Sequence, residues 1–239
     1  MTLVEFSEAV RPAVAPPPLD VMTGASLKFV TAPNFEAPTD AGANNIYDVV
    51  VTASDGSLTD TQALAISIGN VVDGVTLTGT NAGNTLTGTV AEDSLFGLGG
   101  NDILIGSGGT DMLDGGKGND TLNGGLGADQ LTGGAGADTF TFASVNDTLP
   151  GFNDVITDFL RADKDKISLS GIDANANLSG DQAFAFIGSG SFTGIAGQLR
   201  YQQVNGNTFV MGDVNGDGVA DFVIQVNGQV TFTSGDFIL

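Results

Sequence analysis

Residues 79–141 read GTNAGNTLT GTVAEDSLF GLGGNDILI GSGGTDMLD GGKGNDTLN GGLGADQLT GGAGADTFT, one nonapeptide written seven times without a gap. Position one is always glycine: Gly79, Gly88, Gly97, Gly106, Gly115, Gly124 and Gly133. Position six is Asn84 and then Asp93, Asp102, Asp111, Asp120, Asp129 and Asp138, and position eight is Leu86, Leu95, Leu104, Leu113, Leu122, Leu131 and Phe140. Three columns held in phase describe a repeating fold, because a flexible glycine-rich linker has no reason to keep a leucine every nine residues.

Each column has a physical role. Glycines at positions one, two and four let the first six residues turn tightly through φ > 0. The last three residues are extended, and only the middle one, large and apolar, points inward. Two nonapeptides therefore form one coil, and stacked coils form two parallel sheets with a thin Leu/Phe seam and turns along both rims. Repeats two apart share a rim at a spacing of about 4.8 Å, which would stack carboxylate against carboxylate beside rows of backbone carbonyls. A hard cation relieves that repulsion. Calcium takes six to eight oxygens from mixed carboxylates and carbonyls, whereas zinc calls for His or Cys, which this chain lacks entirely. The candidate ligands are Asp93, Asp102, Asp111, Asp120, Asp129 and Asp138, with the carbonyls at positions one and three: Gly97, Gly99, Gly106, Gly108, Gly115, Lys117, Gly124, Leu126, Gly133 and Ala135. Same-rim pairing gives up to about five Ca2+ sites.

The repeat resembles the calcium-binding nonapeptide of the repeats-in-toxin (RTX, hemolysin-type) proteins, GGxGxDxUx. Repeats five to seven match fully. Repeats three and four carry Leu98 and Ser107 at position two, while repeats one and two carry Thr80 and Ala82, then Thr89 and Ala91, and Asn84 replaces the first aspartate. Weak or absent sites are expected at that end.

Composition agrees. With 36 glycines, no tryptophan and 7% aromatic residues, an ordinary core cannot be built throughout the chain. The net charge of -21 disfavours both nucleic acid and anionic membranes as partners. No cysteine is present, so an extracellular form would be stapled by metal rather than by disulfides. Residues 1–20 hold no apolar run of signal-peptide length.

The pattern divides the chain into four segments. Residues 1–25, with the stiff Ala15 to Pro18 run, read as a disordered arm. In 26–75, Tyr47, Val49 and Val51 lie on one strand, Ser54 to Ser57 form a turn, and Ala63 to Ile68 return. Tyr47 to Gly56 is similar to the signature of cadherin-like repeats, but only about half of the roughly 100 residues of a whole sandwich are present. Residues 76–142 are the roll, with Val75 to Thr78 as its first strand. Residues 143–239 read as an antiparallel meander capping it, with hairpins at Asn205-Gly206 and Asn227-Gly228. The expected inward residues are Leu199, Tyr201, Phe209, Met211, Phe222, Ile224, Val226, Val230 and Phe232. The fold class is therefore all-β: a parallel β-roll, an antiparallel C-terminal domain and an incomplete sandwich hairpin at the N-terminus.

Between those hairpins, Asp213, Asn215, Asp217 and Asp221 are spaced like the first half of an EF-hand loop, but Ile224 stands where the bidentate glutamate belongs. They form a candidate for one further Ca2+, or an acidic turn closed by Asx hydrogen bonds.

The tail from Gly136 onward, through Asp154 to Phe159, Asp165 to Asn175 and Gly197 to Gln202, resembles the C-terminal domain of serralysin-type secreted metalloproteases. That resemblance implies a C-terminal address read by type I secretion machinery, here Asp236-Phe237-Ile238-Leu239, and hence an extracellular location. Losing those four residues is then expected to abolish export through a type I exporter and to leave calcium-induced folding of the purified roll nearly intact. Catalysis is not expected: the family's zinc motif needs histidines, and no histidine or cysteine exists here. The alternative to a secretion and folding tail is a cap or spacer of an adhesin built from cadherin-like repeats.

Overall fold

The computed structural model describes the strands Leu3–Glu8, Ile46–Ser54 and Thr59–Ser67 and all of residues 73–239. The chain divides into two compact units, Met1–Val71 and Val72–Leu239.

In the first unit β1 (Leu3–Glu8), β2 (Ile46–Ser54) and β3 (Thr59–Ser67) form an antiparallel sheet in that order. Glu5 lies opposite Thr52, and Val51 opposite Gln62. Leu3–Glu8 is thus a strand where a disordered arm is expected. Its sequence, LVEFSE, carries the period-two alternation that strands favour. The rest of the arm, residues 26–45 of the cadherin-like segment and the turn at 55–58 lie outside the described residues.

The second unit is the roll and its continuation. Its strands are β4 (Thr76–Thr78), β5 (Thr85–Thr87), β6 (Ser94–Phe96), β7 (Ile103–Gly109), β8 (Met112–Lys117), β9 (Thr121–Gly127), β10 (Gln130–Ala135) and β11 (Thr139–Thr141). After these come β12 (Val155–Ile156), β13 (Lys166–Ser168), β14 (Ala185–Phe186), β15 (Gln198–Val204), β16 (Asn207–Asp213), β17 (Phe222–Val226) and β18 (Phe237–Ile238). Alternate strands of the roll belong to alternate sheets and pair in parallel, so one coil spans two nonapeptides. In one sheet the apolar column runs Leu77, Leu95, Leu113, Leu131, Ile156, Val226. In the other it runs Leu86, Leu104, Leu122, Phe140, Ile167, Phe237. From Leu95 and Leu104 onward, each rung is buried, worth about 1.5–3 kcal/mol per side chain.

The break in rhythm after Phe142 is not a break in the sheets. Nine residues on from Asp138 lies Asp147, yet it caps the short 3-10 helix Val145–Thr148, and the next rungs come from β12 and β13. The excursions between them are extra loop on an unchanged stack. The C-terminal segment is therefore partly parallel, with antiparallel pairing confined to β15, β16 and β17.

Two expectations about that meander are corrected. On β16 the buried side chains are Thr208 and Val210, and Phe209 and Met211 face the other way. The register is fixed by Gly212: the Phe222 ring occupies the space where a Cβ at that position would lie, so only glycine fits facing inward. The second Asn-Gly pair does not make a hairpin either. Residues 229–233 form no strand, because the free edge of β17 is taken by β12 in parallel. Asn205 and Gly206, at φ 51° and 88°, do join β15 to β16 in the two-residue turn that both residue types favour.

Candidate metal centre

Alternation along each coil decides where the aspartates go. Positions six and eight of a repeat and position one of the next face inward, as Asp111, Leu113 and Gly115 do. Asp93, Asp102, Asp111, Asp120, Asp129 and Asp138 are therefore at most 3% exposed, lying beneath the turns rather than on an open rim as the sequence suggests. Nor are they wholly unpaired. One carboxylate oxygen of each accepts the backbone N–H at the same position of the preceding coil: Asp93 N–H to Asp111 at 2.8 Å, Asp102 to Asp120 at 2.7 Å, Asp111 to Asp129 and Asp120 to Asp138 at 2.8 Å.

Both ladders run on past the repeats. Asp129 donates to Asp154 at 2.9 Å, and Asp138 to Asp165 at 3.0 Å. Counting repeats misses these two aspartates because the glycines before them are gone. The remaining signal is the triplet Asp-Val-Ile and Asp-Lys-Ile, an aspartate two residues before a large apolar residue, as in every repeat from the second onward. A parallel asparagine ladder, equally hidden from the repeat count, runs on one rim: Asn101 accepts from Asn119 N–H and Asn119 from Ala137 N–H, each at 2.9 Å.

The second carboxylate oxygen is the chemically exposed one. Among the described residues, Oδ2 of Asp102, Asp111, Asp120, Asp129, Asp138 and Asp154 is buried without any hydrogen-bond partner. Each of those in the repeats sits against the position-one glycine of its own turn, where a Cβ would collide with it. The position-one carbonyl of the next coil enters the same space: Gly115 O lies 2.6 Å from where a Gly97 Cβ would be, and Gly133 O 2.8 Å from one at Gly115. A lone carboxylate oxygen and a main-chain carbonyl facing one cradle form a hard-oxygen donor set, and this fits Ca2+. Among the described residues no cluster of three or more acidic side chains is placed to hold an ion without such carbonyls.

Burial raises the carboxyl pKa to about 6 at Asp111, Asp129 and Asp138, helped by neighbouring aspartates. At Asp154 burial, with Asp129, Asp147 and Asp111 nearby, raises it to about 8. Asp120 is raised for the same reason. Charge at these positions is thus costly until something compensates it.

The position-three residues Gly99, Gly108, Lys117, Leu126 and Ala135 line the turns. Gly108 and Leu126 pair across adjacent coils, as do Lys117 and Ala135. The loop Asp213 to Asp221 closes on itself. Asp213 accepts from Gly216 and Gly218 N–H at 2.7 and 2.9 Å, and Asp221 accepts from Val214 N–H and the Asn215 amide at 2.7 and 2.9 Å. Asn215 and Asp217 accept from Asp217 and Val219 N–H, each at 2.8 Å.

Asp236-Phe237-Ile238-Leu239 forms the last rung. Phe237 packs against Phe186 and Phe232 at 5.1 and 5.3 Å between ring centroids. Arg161 Nε donates to Asp236 at 2.9 Å, and Lys166 reaches the Gly235 carbonyl. Burial alone would raise the Asp236 pKa, but the Thr233 N–H and Arg161 outweigh it and hold the carboxyl below its usual range. Losing these four residues therefore removes core packing, so folding would not be left intact.

The sequence model of the peptidase M10 serralysin C-terminal family matches residues 39–239. No curated protein matches the chain. Solved structures similar to it include the AlgE6R3 subunit of the Azotobacter vinelandii mannuronan C5-epimerase, at 27% identity and TM-score 0.38, covering 67% of this chain and 80% of that one. The AlgE6R2 subunit of the same enzyme matches at 25% identity and TM-score 0.40, covering 67% of this chain and 90% of that one.

Proposed function

Because this chain belongs to the peptidase M10 serralysin C-terminal family, we propose that it is the calcium-dependent folding and secretion tail of an extracellular bacterial protein. The observation that carries the calcium reading is the set of six buried, partnerless carboxylate oxygens, three on each of the two aspartate ladders. Asp102, Asp111, Asp120, Asp129 and Asp138, with the facing main-chain carbonyls at positions one and three, would hold the ions, and Asp154 extends one ladder. When bound, calcium supplies a divalent charge that offsets the buried carboxylates and ties successive coils together. Without it the chain carries its full -21, which keeps it open in a cytosol poor in free calcium. Outside the cell, about five ions would bring the charge to roughly -11 (-21 plus 10) and close the roll. The loop at 213–221 is a further candidate on the spacing of its oxygens.

Asp120→Asn tests the calcium reading. It keeps the acceptor for the Asp102 N–H but removes the charge. Without calcium the variant should be more stable than the parent, and its calcium midpoint, read by circular dichroism, should rise severalfold. Asn84→Ala should leave the midpoint unchanged. Equal shifts from the two changes would overturn the ligand assignment.

The address is proposed at Asp236 to Leu239, read while the chain is still unfolded. A folded tag fused after Leu239 should block export from cells carrying a type I exporter, while the purified chain folds on calcium with or without the tag. Undiminished export of the tagged chain would place the address elsewhere.

A further inference from the structure

Repeats one and two differ from the rest in the backbone of the turn, at positions two and four. In repeats three to seven the position-two residue has positive φ: Leu98 73°, Ser107 85°, Gly116 93°, Gly125 92° and Gly134 95°. The position-four glycines, Gly100, Gly109, Gly118, Gly127 and Gly136, are also at positive φ. Every one of these five repeats has a partnerless Oδ2 on its position-six aspartate. Thr80 and Thr89, with Ala82 and Ala91, are absent from the positive-φ positions, as expected for a β-branched residue and its neighbour.

The consequence is a different hydrogen-bond pattern. Thr89 donates its N–H to Asp93 Oδ2, and its hydroxyl lies 3.3 Å from both Asp93 oxygens while accepting the Ala91 N–H at 3.1 Å. Asp93 Oδ1 is occupied from the other side by the Val75 N–H. Thr80 treats Asn84 in the same way: its N–H donates to Asn84 Oδ1 at 2.6 Å, its hydroxyl lies 3.2 Å from that oxygen, and it accepts the Ala82 N–H at 3.2 Å. The oxygen that is left orphaned in later repeats is here already served by the protein's own donors.

We propose that the backbone conformation at position two decides whether a repeat takes a cation, and that Thr80 and Thr89 make the first two repeats cation-independent turns. Positive φ swings the position-two N–H away from the carboxylate and leaves an acceptor only an ion can serve. A threonine keeps the N–H on the carboxylate and adds a hydroxyl. Asn84 and Asp93 then leave the ion-binding set, and the roll begins with a coil that closes without metal and presents a finished edge to the loaded coils after it.

This inference rests on the calcium reading, and ion counting separates the two. Thr89→Gly/Ala91→Gly in the full chain turns repeat two into a full consensus repeat. Native mass spectrometry in calcium should show one more bound ion than the parent, and the variant without calcium should be less stable, because Asp93 Oδ2 has lost the donors that Thr89 supplies. Thr89→Gly alone should give the same direction on both readouts if the double change disturbs the fold. An unchanged ion count in a parent that binds calcium overturns this proposal, whereas a parent that binds none overturns the calcium reading itself.

Discussion

In excess chelator at neutral pH, far-ultraviolet circular dichroism should lose the β signal of the roll, and calcium should restore it cooperatively at about 0.1–1 mM, the range of extracellular modules. The reason is the set of six buried Oδ2 atoms without partners. Leucine burial alone must otherwise outweigh several desolvated charges stacked along two rims, and desolvating a carboxylate costs several kcal/mol per group. The pH dependence has a definite sign. Asp111, Asp129 and Asp138 titrate at about 6 and Asp154 at about 8 in the fold, against 3.8 when unfolded. Between those values the folded chain binds more protons than the unfolded one, so ion-free stability falls as pH rises from about 4 to about 8. Acidifying the chelated protein to about pH 5 should therefore recover β-structure, with protons doing the neutralising. In calcium the trend reverses below about pH 6, because protons compete for the same oxygens. A spectrum indifferent to chelator, or a chelated protein equally unfolded at both pH values, would contradict this account.

The second large effect lies at the joint between the repeats and the C-terminal segment. Phe140 is fully buried, sits between the Leu122 and Ile167 rungs and has its ring 6.3 Å from that of Phe159. Phe140→Ala should cost about 3–5 kcal/mol at saturating calcium through lost burial and a cavity. Since the same rung column continues through Ile167 to Phe237, the loss should appear as a single lowered urea midpoint for roll and C-terminal segment together, with the number of bound ions unchanged. Thr139→Ala, one residue away, should change stability by under about 0.5 kcal/mol. Two separated transitions in Phe140→Ala would show that the apolar column does not couple the two parts.

Sequence alone determined the coil. A nine-residue period with glycine, aspartate and leucine in fixed columns allows few other arrangements, because turn conformation and strand alternation are local properties of the chain. It also determined the same-column register at a spacing of two repeats, since any slip would break the leucine seam. At Asp213 to Asp221 the spacing left two readings open, a partial Ca2+ site or an acidic turn closed by Asx hydrogen bonds. The chain beyond the repeats was not legible in this way. Asp154 and Asp165 continue the ladders without their glycines, the edge of β17 is filled by β12 instead of a hairpin partner, and Gly212 reverses the face of β16 to admit the Phe222 ring. Each of these depends on which distant segment arrives at a sheet edge, and spacing along the chain does not encode that. The depth of the aspartates was decided in the same way: only when coils stack does the turn close over position six, leaving one carboxylate oxygen on a neighbour's N–H and, from Asp102 to Asp138, the other with no donor in reach.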